Sequence, residues 1–570
     1  MPRPPMSEFQ NIEALKTIQE NPHLFHVSTP IHVDRFESLL ASHPNQPFVK
    51  SVCVGLREGF WPFANTHYGE YPLTLDKSHR PPKTINERNF LHDQIQKEVE
   101  KNRYSPAFGP NLPGMYSMPI HAVPKPGTDK HRLVTDHSAG NFSLNSMIDR
   151  DDIAGVTLDN IQDLGNALRI FRDNDSDAPL HLWKADVSEA YRLIPMHPLW
   201  QIKQVVTFEG KRWLDWMNVF GGRASQRLFH AFMALVIWIA VTKLLLLVFI
   251  YVDDSFAYER ANQVSFYKKY NKFVPRGLAT MLRLWDFLKI PHEERKQVYG
   301  PVLPIIGFEV DPNLMSAKMS DESRLRLIKQ INNFARHGNR RTLKDFQTLA
   351  GNLNWALNVY PLLRPGLSSL YSKISGKKHS KALIWINQSI VDDLHWTSDH
   401  LDHSDGVYFL KSENWDSRNL DKDDLEVYCD ASGNGMGFWY PSLTLGFQSM
   451  IPPSTETDTI FFFEALAVYS ALHDACPRVK KGARLAIYSL IVTIFNTLAA
   501  KPIYNDILKS GVDIALAYDI DFRVFHIPGV TNVIADHLSR FRNREAMRIV
   551  PGLVIESFRP PRDALGACKK

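Results

Sequence analysis

Three carboxylates stand where apolar stretches of the sequence end, and their type and spacing indicate metal-dependent chemistry. Asp253 and Asp254 follow the apolar run LLLLVFIYV, and Asp186 closes a second run, LHLWKAD. Adjacent acids at the end of a buried strand repel each other and lose hydration, so a cation is what makes such a pair tolerable. Acids from two neighbouring strands can hold two Mg²⁺ ions about 3.5–4 Å apart, an arrangement suited to phosphoryl transfer. The alternative is a set of strand-end acids that face solvent.

The elements that must position these acids begin with the most apolar stretch of the chain, residues 229–252. At about 20 residues an apolar stretch is long enough to span a bilayer. Lys243 lies near its centre, however, where a charge costs about 2.5–3.5 kcal/mol, and the stretch ends directly in two acids. We therefore predict a helix up to Ala240 followed by a buried strand over Leu244–Val252. A membrane span remains the alternative, and it predicts that the chain needs detergent for extraction.

Composition limits the class of protein. The 570 residues are 44% hydrophobic and 22% charged, which is typical of globular domains and excludes wholesale disorder. A formal net charge of only +5 excludes a polycation, so any nucleic-acid surface must come from local clustering. Four scattered cysteines without a CxxC pair favour a reducing compartment. The first thirty residues have no apolar core, so we expect an intracellular protein, in the cytoplasm or nucleus, without a signal peptide or a transmembrane helix.

Charge and periodicity divide the chain into blocks. Between about residues 106 and 315, β-like runs alternate with helical segments, which predicts an α+β block. Residues 316–381 hold 13 Lys or Arg against 3 Asp or Glu, whereas residues 399–426 hold 9 acidic and 3 basic side chains, as in a polar linker. From Leu425 a strand, a Gly-rich turn and a second strand are predicted, and VTNVIADHLSRF predicts a late helix. In the basic block, helical spacing is shown by Leu325, Ile328, Ile331 and Phe334.

With these acids in place, the chain resembles reverse transcriptases over most of its length. ADVSEAY resembles the first palm motif of that family, which implies Asp186 as a shared metal ligand and the Val187 carbonyl as a further one. YVDD resembles the catalytic hairpin, which implies Asp253 as the second metal ligand and Asp254 as an auxiliary acid. PIIGFEVD resembles the primer-grip hairpin that follows the palm.

The same resemblance implies a nucleotide pocket. Tyr191 lies five residues after the first acid, where the family keeps an aromatic steric gate, a flat ring that leaves no room for a 2′-hydroxyl. NVFGGRASQRLF resembles the next motif, in which Phe220 and Gly221 let the backbone approach the nucleotide and template. The family often has Pro where Gln226 stands, so this motif departs in detail. The alternative for Tyr191 is an ordinary core aromatic.

A basic hairpin upstream of the acids resembles the family's fingers. The segment VPKPGTDKHRLVTDHSAGNFSLNS carries Lys125 and Arg132 where the family places cations on the incoming triphosphate. A point charge and a planar guanidinium both suit phosphate oxygens. With this context, the basic block 316–381 is interpreted as a thumb and connection that follow the phosphate backbone. The alternative for such cations is an ordinary solvated surface.

The C-terminal block resembles ribonuclease H, a fold that gathers three or four acids around two Mg²⁺ ions. Asp430 in YCDAS, Glu464 in FFFEALAVYSAL and Asp536 in VTNVIADHLSR match three of the family's acidic positions. The remaining Asp is missing, because LAIYSLIVTIFNTL has Ser489 at or near that place. Loss of one carboxylate removes charge compensation and position from a metal pair. We therefore predict a nuclease fold whose catalysis is impaired.

Together these resemblances imply an α+β multidomain protein, a right-hand polymerase (fingers, palm, thumb/connection) followed by an α/β ribonuclease H-like domain. The implied function is RNA-directed DNA polymerisation with dNTPs on a primed RNA or DNA template, with Mg²⁺ or substituting Mn²⁺, and with other retroelement proteins open as partners. HRLVTDHSAGNFSLNS and IIGFEVDPN resemble tyrosine-recombinase (DIRS-type) elements of fungi. The alternative is a decayed remnant that binds nucleic acid without catalysis. The implied segments are an N-terminal extension 1–105, fingers and palm 106–315, a basic thumb/connection 316–398, an acidic linker 399–424, a ribonuclease H-like domain 425–545 and a tail 546–570.

Overall fold

The computed structural model describes residues 1–67, 69–124, 131–175, 177–408, 415–452 and 459–562. The chain divides into two units, one formed by residues 1–306 with 311–313, the other by residues 307–310 with the chain from residue 314 onward. Both units contain helices and sheets, so the predicted mixed helix-and-sheet architecture is confirmed at that level.

The first unit carries the following elements. Its helices are α1 Ile12–Glu20, α2 Val33–Leu39, α3 Gln46–Glu58, α4 Ile85–Glu100, α5 Ile161–Asn174, α6 Pro198–Gln201, α7 Ser225–Leu244 and α8 Arg276–Leu288. Its strands are β1 Leu75–Asp76, β2 Tyr116–Met118, β3 Ile120–Pro124, β4 His131–Thr135, β5 Leu180–Asp186, β6 Val205–Phe208, β7 Lys211–Leu214, β8 Phe249–Tyr251, β9 Asp254–Arg260, β10 Val264–Tyr267, β11 Lys272–Pro275, β12 Val298–Gly300 and β13 Leu303–Ile305.

A sheet with the strand order β12-β5-β9-β8 lies at the centre of this unit. β5 and β9 pair antiparallel, and their register places Asp186 opposite Asp254. β8 and β9 form a hairpin in which Tyr251 faces Asp254, so Val252 and Asp253 make the loop. One hydrophobic cluster joins the sheet to the helices that cover it and contains Trp183, Ala257, Phe229, Phe232 and Trp285.

The first hundred residues contribute to that same cluster. Phe36 of α2, Val52 of α3 and Trp61 just after α3 are almost completely buried in it. α3 is amphipathic, with an Asn45 side chain that caps its N-terminus by accepting the Phe48 N–H. The segment ahead of the recognised motifs therefore packs as part of the first unit's core.

α7 is long and apolar enough to cross a membrane by length and composition, and half of it is buried inside the protein. Its buried side chains, among them Phe229, Phe232 and Ile239, belong to the core. This burial is consistent with a core helix of a soluble protein. We find no other such helix within the residues that the structure describes.

The boundary predicted between this helix and the next strand was wrong. The helix continues past Ala240 to Leu244, where Leu245 adopts a left-handed conformation (φ 50°) and its successor Leu246 donates its N–H to the Ala240 carbonyl. Such a cap adds a final turn and reverses the chain. The strand then begins only at Phe249, and Leu245 is 87% exposed, so the leucine run is not one buried strand.

The second unit carries the remaining elements. Its helices are α9 Asp321–Phe334, α10 Leu343–Ala356, α11 Ser368–Ile374, α12 Gln388–His403, α13 Ile460–Ala475, α14 Thr493–Thr497, α15 Asn505–Tyr518, α16 Val533–Ser539 and α17 Asn543–Ile549. From the boundary onward the strands are β14 Phe308–Asp311, β15 Ser316–Met319, β16 Arg340–Thr342, β17 Leu383–Trp385, β18 Val407–Tyr408, β19 Leu425–Ala431, β20 Gly435–Tyr440, β21 Leu445–Met450, β22 Arg484–Ser489, β23 Asp521–His526 and β24 Val554–Ser557.

A mixed sheet with the order β23-β22-β19-β20-β21-β24 organises the C-terminal part of this unit. β19 is antiparallel to β20 but parallel to β22, so the pairing direction changes at β19. The predicted strand, turn, strand and late helix are confirmed as β19, β20 and α16. α13 packs on the sheet, and most of its side chains are buried in the core of this unit.

The predicted helix in the basic block is confirmed as α9, but its buried face differs from the predicted one. Leu327, Ile331 and Phe334 are buried, whereas Leu325 is 53% exposed. The predicted stripe and the observed one share Ile331 and Phe334 and diverge by half a turn at the N-terminal end of the helix. The sequence contains both spacings, and only the packing partner decides which of them is buried.

Candidate functional site

The register between β5 and β9 brings the three predicted acids together. Asp186 is the last residue of β5 and lies directly opposite Asp254, and Asp253 precedes Asp254 in the hairpin loop. The Asp186 backbone is held by one side chain, because Gln297 accepts the Asp186 N–H at 3.2 Å and donates to its carbonyl at 3.1 Å. The three carboxylates therefore lie at one end of the central sheet, where β5 ends and β9 begins.

Burial and nearby negative charge make Asp253 and Asp254 costly to ionise. Burial raises the pKa of Asp253, and the charges of Asp254 and Asp186 raise it further. Burial also raises the pKa of Asp254, against the opposing effect of the Lys184 ammonium. Desolvation with like charges nearby is the pattern expected of a functional carboxylate cluster.

Two lysines neutralise part of this charge, and neither was predicted from the sequence. Lys184 Nζ lies 2.7 Å from Asp254 Oδ2, and Lys296 Nζ lies 2.7 Å from Asp186 Oδ1. Lys184 could have been found, because it lies two residues before Asp186 and so points to the same face of β5. Lys296 comes from a distant 3₁₀ turn, Glu294–Lys296, and no local signal marks it.

The loop that carries Asp253 is strained. Val252 has a φ of 59°, in the left-handed region that a β-branched side chain rarely adopts. It is the first of two loop residues in a tight hairpin, a position that glycine usually takes in turns with positive φ there. Strain of this kind costs about 1–3 kcal/mol and concentrates at functional sites. The surrounding sheet therefore has to hold Asp253 in place.

Aromatic rings lie beside the acids. Tyr191 is half-buried, and its ring packs on Phe220 with centroids 5.0 Å apart and on Phe229 at 5.7 Å. Burial and the nearby Asp253 charge raise the pKa of Tyr191 to about 12, so its hydroxyl stays protonated and close to the acids. The guanidinium of Arg132 lies 5.9 Å from the centre of the Phe220 ring. Lys125, the other predicted phosphate cation, lies outside the described residues.

Backbone conformation and lack of space explain why residue 221 is a glycine. Gly221 has a φ of 112°, and a Cβ there would lie 2.6 Å from the Thr135 carbonyl oxygen of β4. The Asn145 side chain ties the loop down by donating to the Gly221 carbonyl and accepting the Arg223 N–H. Any larger residue at position 221 would push the loop away from the β3–β4 hairpin.

The acids fit a hard divalent cation by chemistry, although no metal centre is preformed. Among the residues described, no group of three or more His, Cys, Asp or Glu side chains is arranged to hold a metal ion. Asp253 forms no ion pair with any residue that the structure describes. Each of the other two acids has one oxygen paired with a lysine of its own. Half-buried carboxylates that repel one another are the oxygen donors that Mg²⁺ and Mn²⁺ prefer. Val187, whose carbonyl was predicted as a further ligand, follows directly and is buried.

The second unit brings its own three predicted acids together. Asp430 lies near the end of β19, Glu464 lies on α13 and Asp536 lies on α16. Burial and the Asp430 charge raise the pKa of Glu464 to about 8, and its Oε2 is buried without a hydrogen-bond partner among the residues that the structure describes. Burial and the charge of Asp536 likewise raise the pKa of Asp430.

The fourth position of this cluster is occupied by a hydroxyl. Ser489 is completely buried at the end of β22 and lies close enough to Glu464 for its hydroxyl to lower the pKa of that acid in part. Two of the acids already have partners: Asp430 Oδ2 accepts the Ser539 hydroxyl at 2.7 Å, and Asp536 pairs with Arg540 at 2.7 Å. The cluster therefore has less negative charge to offer a metal pair than four acids would have.

A basic ribbon also lies in the second unit, and we define it as β16 and β17 with their flanking cations. β16 and β17 pair antiparallel, and the Arg340 guanidinium stacks on Trp385 with its carbon 4.0 Å from the ring centre. The nearby acid Asp345 is engaged in capping α10 through Thr342. In the part of the chain that the structure describes, no ion pair is formed by the ribbon's cations, which are Arg336, Arg340, Arg341, Lys344, Lys377, Lys378 and Lys381.

Comparison with known proteins gives only distant similarities. No protein-family model matches the sequence, and no curated protein is significantly similar to it. Three solved structures of a foamy viral protease-reverse transcriptase are similar to this chain. The dRH form with double-stranded DNA has 16% identity, a TM-score of 0.42 and coverage of 87% of this chain and 82% of that one. The complex with an RNA/DNA hybrid has 15% identity, a TM-score of 0.41 and coverage of 88% of this chain and 64% of that one. The complex with double-stranded DNA has 15% identity, a TM-score of 0.43 and coverage of 89% of this chain and 99% of that one. Such values are too low to assign a function to this chain.

Substituting Asp253→Asn is expected to stabilise the metal-free protein at neutral pH. Because the pKa of Asp253 is raised above its ordinary value of 3.8 in the folded state, the folded chain holds that proton more tightly than the unfolded chain. Wild-type stability therefore falls as pH rises through the folded pKa, and the Asn variant escapes that loss. Urea unfolding in EDTA should show a variant more stable than wild type at pH 7 and equal to it near pH 3. The exposed Asp152→Asn variant should match wild type at both pH values.

Proposed function

We propose that this chain is an RNA-directed DNA polymerase, a reverse transcriptase of a retroelement, that adds dNTPs to the 3′ end of a primer. The observation that carries the proposal is the register that sets Asp186 opposite Asp254, with Asp253 beside them and near enough to Tyr191 to raise its pKa. Acids from two neighbouring strands, next to an aromatic platform formed by the half-buried Tyr191 and the exposed Phe220, are the parts that two-metal nucleotide addition needs.

The residues of the first unit would divide the work. Asp186 and Asp253, with the Val187 carbonyl, would hold the divalent ions, which when bound supply the positive charge that activates the primer hydroxyl and stabilises the leaving pyrophosphate. Asp254 stays paired with Lys184 and supports the cluster. Tyr191 and Phe220 would receive the sugar of the nucleotide, and Arg132, beside Phe220, would bind its phosphates.

The second unit would bind the nucleic acid. The basic ribbon offers an exposed Trp385 and several cations that form no ion pair with any described residue, and both suit contacts to a phosphate backbone. The cluster of Asp430, Glu464 and Asp536 corresponds to a ribonuclease H-like site that we propose to be impaired, because Ser489 occupies the fourth place. Partners would be a primed RNA or DNA template, dNTPs and other proteins of the element, which we propose to be of DIRS type.

A second candidate is a repurposed remnant that binds nucleic acid without catalysis. The observation that favours it is the pair of lysines on Asp186 and Asp254, of which Lys296 neutralises Asp186, an acid that the proposed metal site needs. The two candidates differ in one respect only, the formation of product, because both require the basic ribbon.

Primer extension separates the candidates. With a DNA primer on an RNA template, dNTPs and Mg²⁺ or Mn²⁺, wild type should extend, and Asp253→Asn should lose at least about a hundredfold in rate, because a metal ligand is removed. Template affinity should stay nearly unchanged, since it depends on cations that contact phosphates. Asp152→Asn is the matched control and should extend like wild type. Absence of product from wild type with either metal would leave only the binding candidate.

The basic ribbon should determine how strongly template binding depends on salt. Neutralising Arg340 and Lys381 together should reduce the slope of log K against log[salt] by about 1.4–1.8, because binding releases about 0.7–0.9 fewer counterions for each phosphate contact that is lost. Fluorescence anisotropy of a labelled duplex at several KCl concentrations measures this slope. Lys480→Met is the control, because Lys480 is exposed but already pairs with Asp423. Equal slopes in all three proteins would show that the ribbon does not contact the backbone.

Restoring the missing acid should restore nuclease activity. Ser489→Asp places a fourth carboxylate beside Glu464, so Mg²⁺-dependent cleavage of the RNA in an RNA/DNA hybrid should rise by about tenfold or more. Without metal, the same substitution should lower the thermal midpoint, because it buries a charge against an acid whose pKa is already raised. Adding Asp430→Asn to the variant should remove the gained cleavage. Cleavage by wild type at the rate of the variant would contradict the proposed impairment.

A further inference from the structure

A buried arginine links the aromatic platform to the N-terminal part of the chain. Arg192 follows Tyr191 in the 3₁₀ turn Ala190–Leu193, and its side chain is only 9% exposed. Its guanidinium donates to Glu98 at 2.8 Å and to Asp215 at 2.9 Å, and both of these acids are buried. Glu98 lies on α4, far ahead of the recognised motifs.

The same guanidinium also holds the loop that carries the second ring. Arg192 donates to the carbonyl of Asn218 at 3.3 Å, and the Asn218 N–H in turn donates to the Ile194 carbonyl at 2.8 Å. Phe220 lies two residues further along this loop and packs on Tyr191. One buried cation thus ties together the turn that carries Tyr191 and the loop that carries Phe220.

A second anchor from α4 and its end holds the other side of the turn. Glu189, just before the turn, has a left-handed backbone (φ 56°). It accepts hydrogen bonds from Lys101 at 2.6 Å and from Arg103 at 2.8 Å. Burial alone would raise the pKa of Glu189, but these two hydrogen bonds lower it to about 2, so the acid stays charged and bound. Tyr191 therefore lies between two residues, Glu189 and Arg192, whose side chains are both fixed by the segment 98–103.

A buried network of this kind is an expensive way to hold a turn. Taking a guanidinium and two carboxylates out of water costs more than packing apolar groups of the same size, unless each charge is well paired. When every member is paired, as here, such a network fixes one arrangement of the groups it joins. The aromatic pair can tolerate little displacement, because a gate that excludes a hydroxyl works by contact.

We propose that Glu98 and Asp215 act through Arg192 as positioning residues for Tyr191 and Phe220, and so help to set the discrimination between deoxyribonucleotides and ribonucleotides. This inference rests on the proposed polymerase function. It assigns part of the selectivity to a segment, residues 98–103, that contains none of the sequence motifs. Neither acid contacts the nucleotide in this assignment, and Tyr191 remains the group that would contact it.

The test compares single-nucleotide extension with dNTP and with rNTP. Glu98→Gln keeps the shape of the side chain and removes its charge, and it should lower the preference for dNTP over rNTP by about tenfold, since a displacement of about 1 Å can change rates by about a hundredfold. The kcat with dNTP should change by less than about threefold. Tyr191→Ala serves as the reference for a lost gate, and Glu100→Gln, exposed on the same helix, should keep the wild-type preference.

The outcomes separate this inference from the function on which it rests. No extension by wild type overturns both. Extension by wild type and a reduced preference in Tyr191→Ala, with an unchanged preference in Glu98→Gln, overturns the positioning role alone. A loss of kcat in Glu98→Gln at constant preference also overturns it, because that result means a structural role only. Thermal midpoints are measured for each variant. If Glu98→Gln does not fold, Lys101→Met replaces it, because this substitution removes a half-exposed partner of Glu189. It should shift the preference in the same direction. A wild-type preference there would count against the proposal.

Discussion

Everything proposed for the first unit depends on the pairing register of β5 with β9. A shift of one residue would turn the side chains of either strand to the opposite face and would separate Asp186 from Asp254. The register brings like charges together, which opposes folding, and the core behind the strands supplies the compensating energy through Trp183, Ala257 and the helices that cover them. Lys184 and Lys296 then reduce the repulsion that remains. The apolar core thus stabilises the sheet, whereas the carboxylates at its end destabilise it.

The positions of the acids along the chain could be predicted from the sequence, because each follows an apolar run. They meet because β9 turns back from β8 directly after Asp253 and pairs antiparallel with β5, so that its first residue, Asp254, lies opposite Asp186. The late helix and the strand-turn-strand of the second unit followed from equally local patterns, whereas the hairpin that carries Asp253 was expected only from the family resemblance of its YVDD motif. The end of α7 could not be predicted, because Leu245 adopts a left-handed conformation that glycine usually takes. Nothing in a run of leucines marks which of them will adopt it. Likewise, the buried face of α9 is chosen by its packing partners among two spacings that the sequence contains.

The groups that surround the acids were harder to predict, because they are brought there by tertiary structure alone. Lys296 reaches Asp186 from 110 positions away, and Glu98 reaches Arg192 from 94 positions away. Neither residue lies in a pattern that differs from an ordinary solvated turn or helix. Ser489 is the opposite case: its position at the end of a strand was recognised, and the structure adds that its hydroxyl faces Glu464 from a completely buried position.

The packing of the first hundred residues has a consequence for how the chain can be divided. Phe36, Val52 and Trp61 fill the same interior as the sheet that carries the acids, and Glu98 neutralises a cation within it. A shortened protein starting at residue 106, which would keep every recognised motif, would expose that interior to water and leave Arg192 with one acid fewer. The smallest stable form of the first unit therefore begins well ahead of the motif-bearing block, and a hybrid in which only that block was exchanged would be unstable.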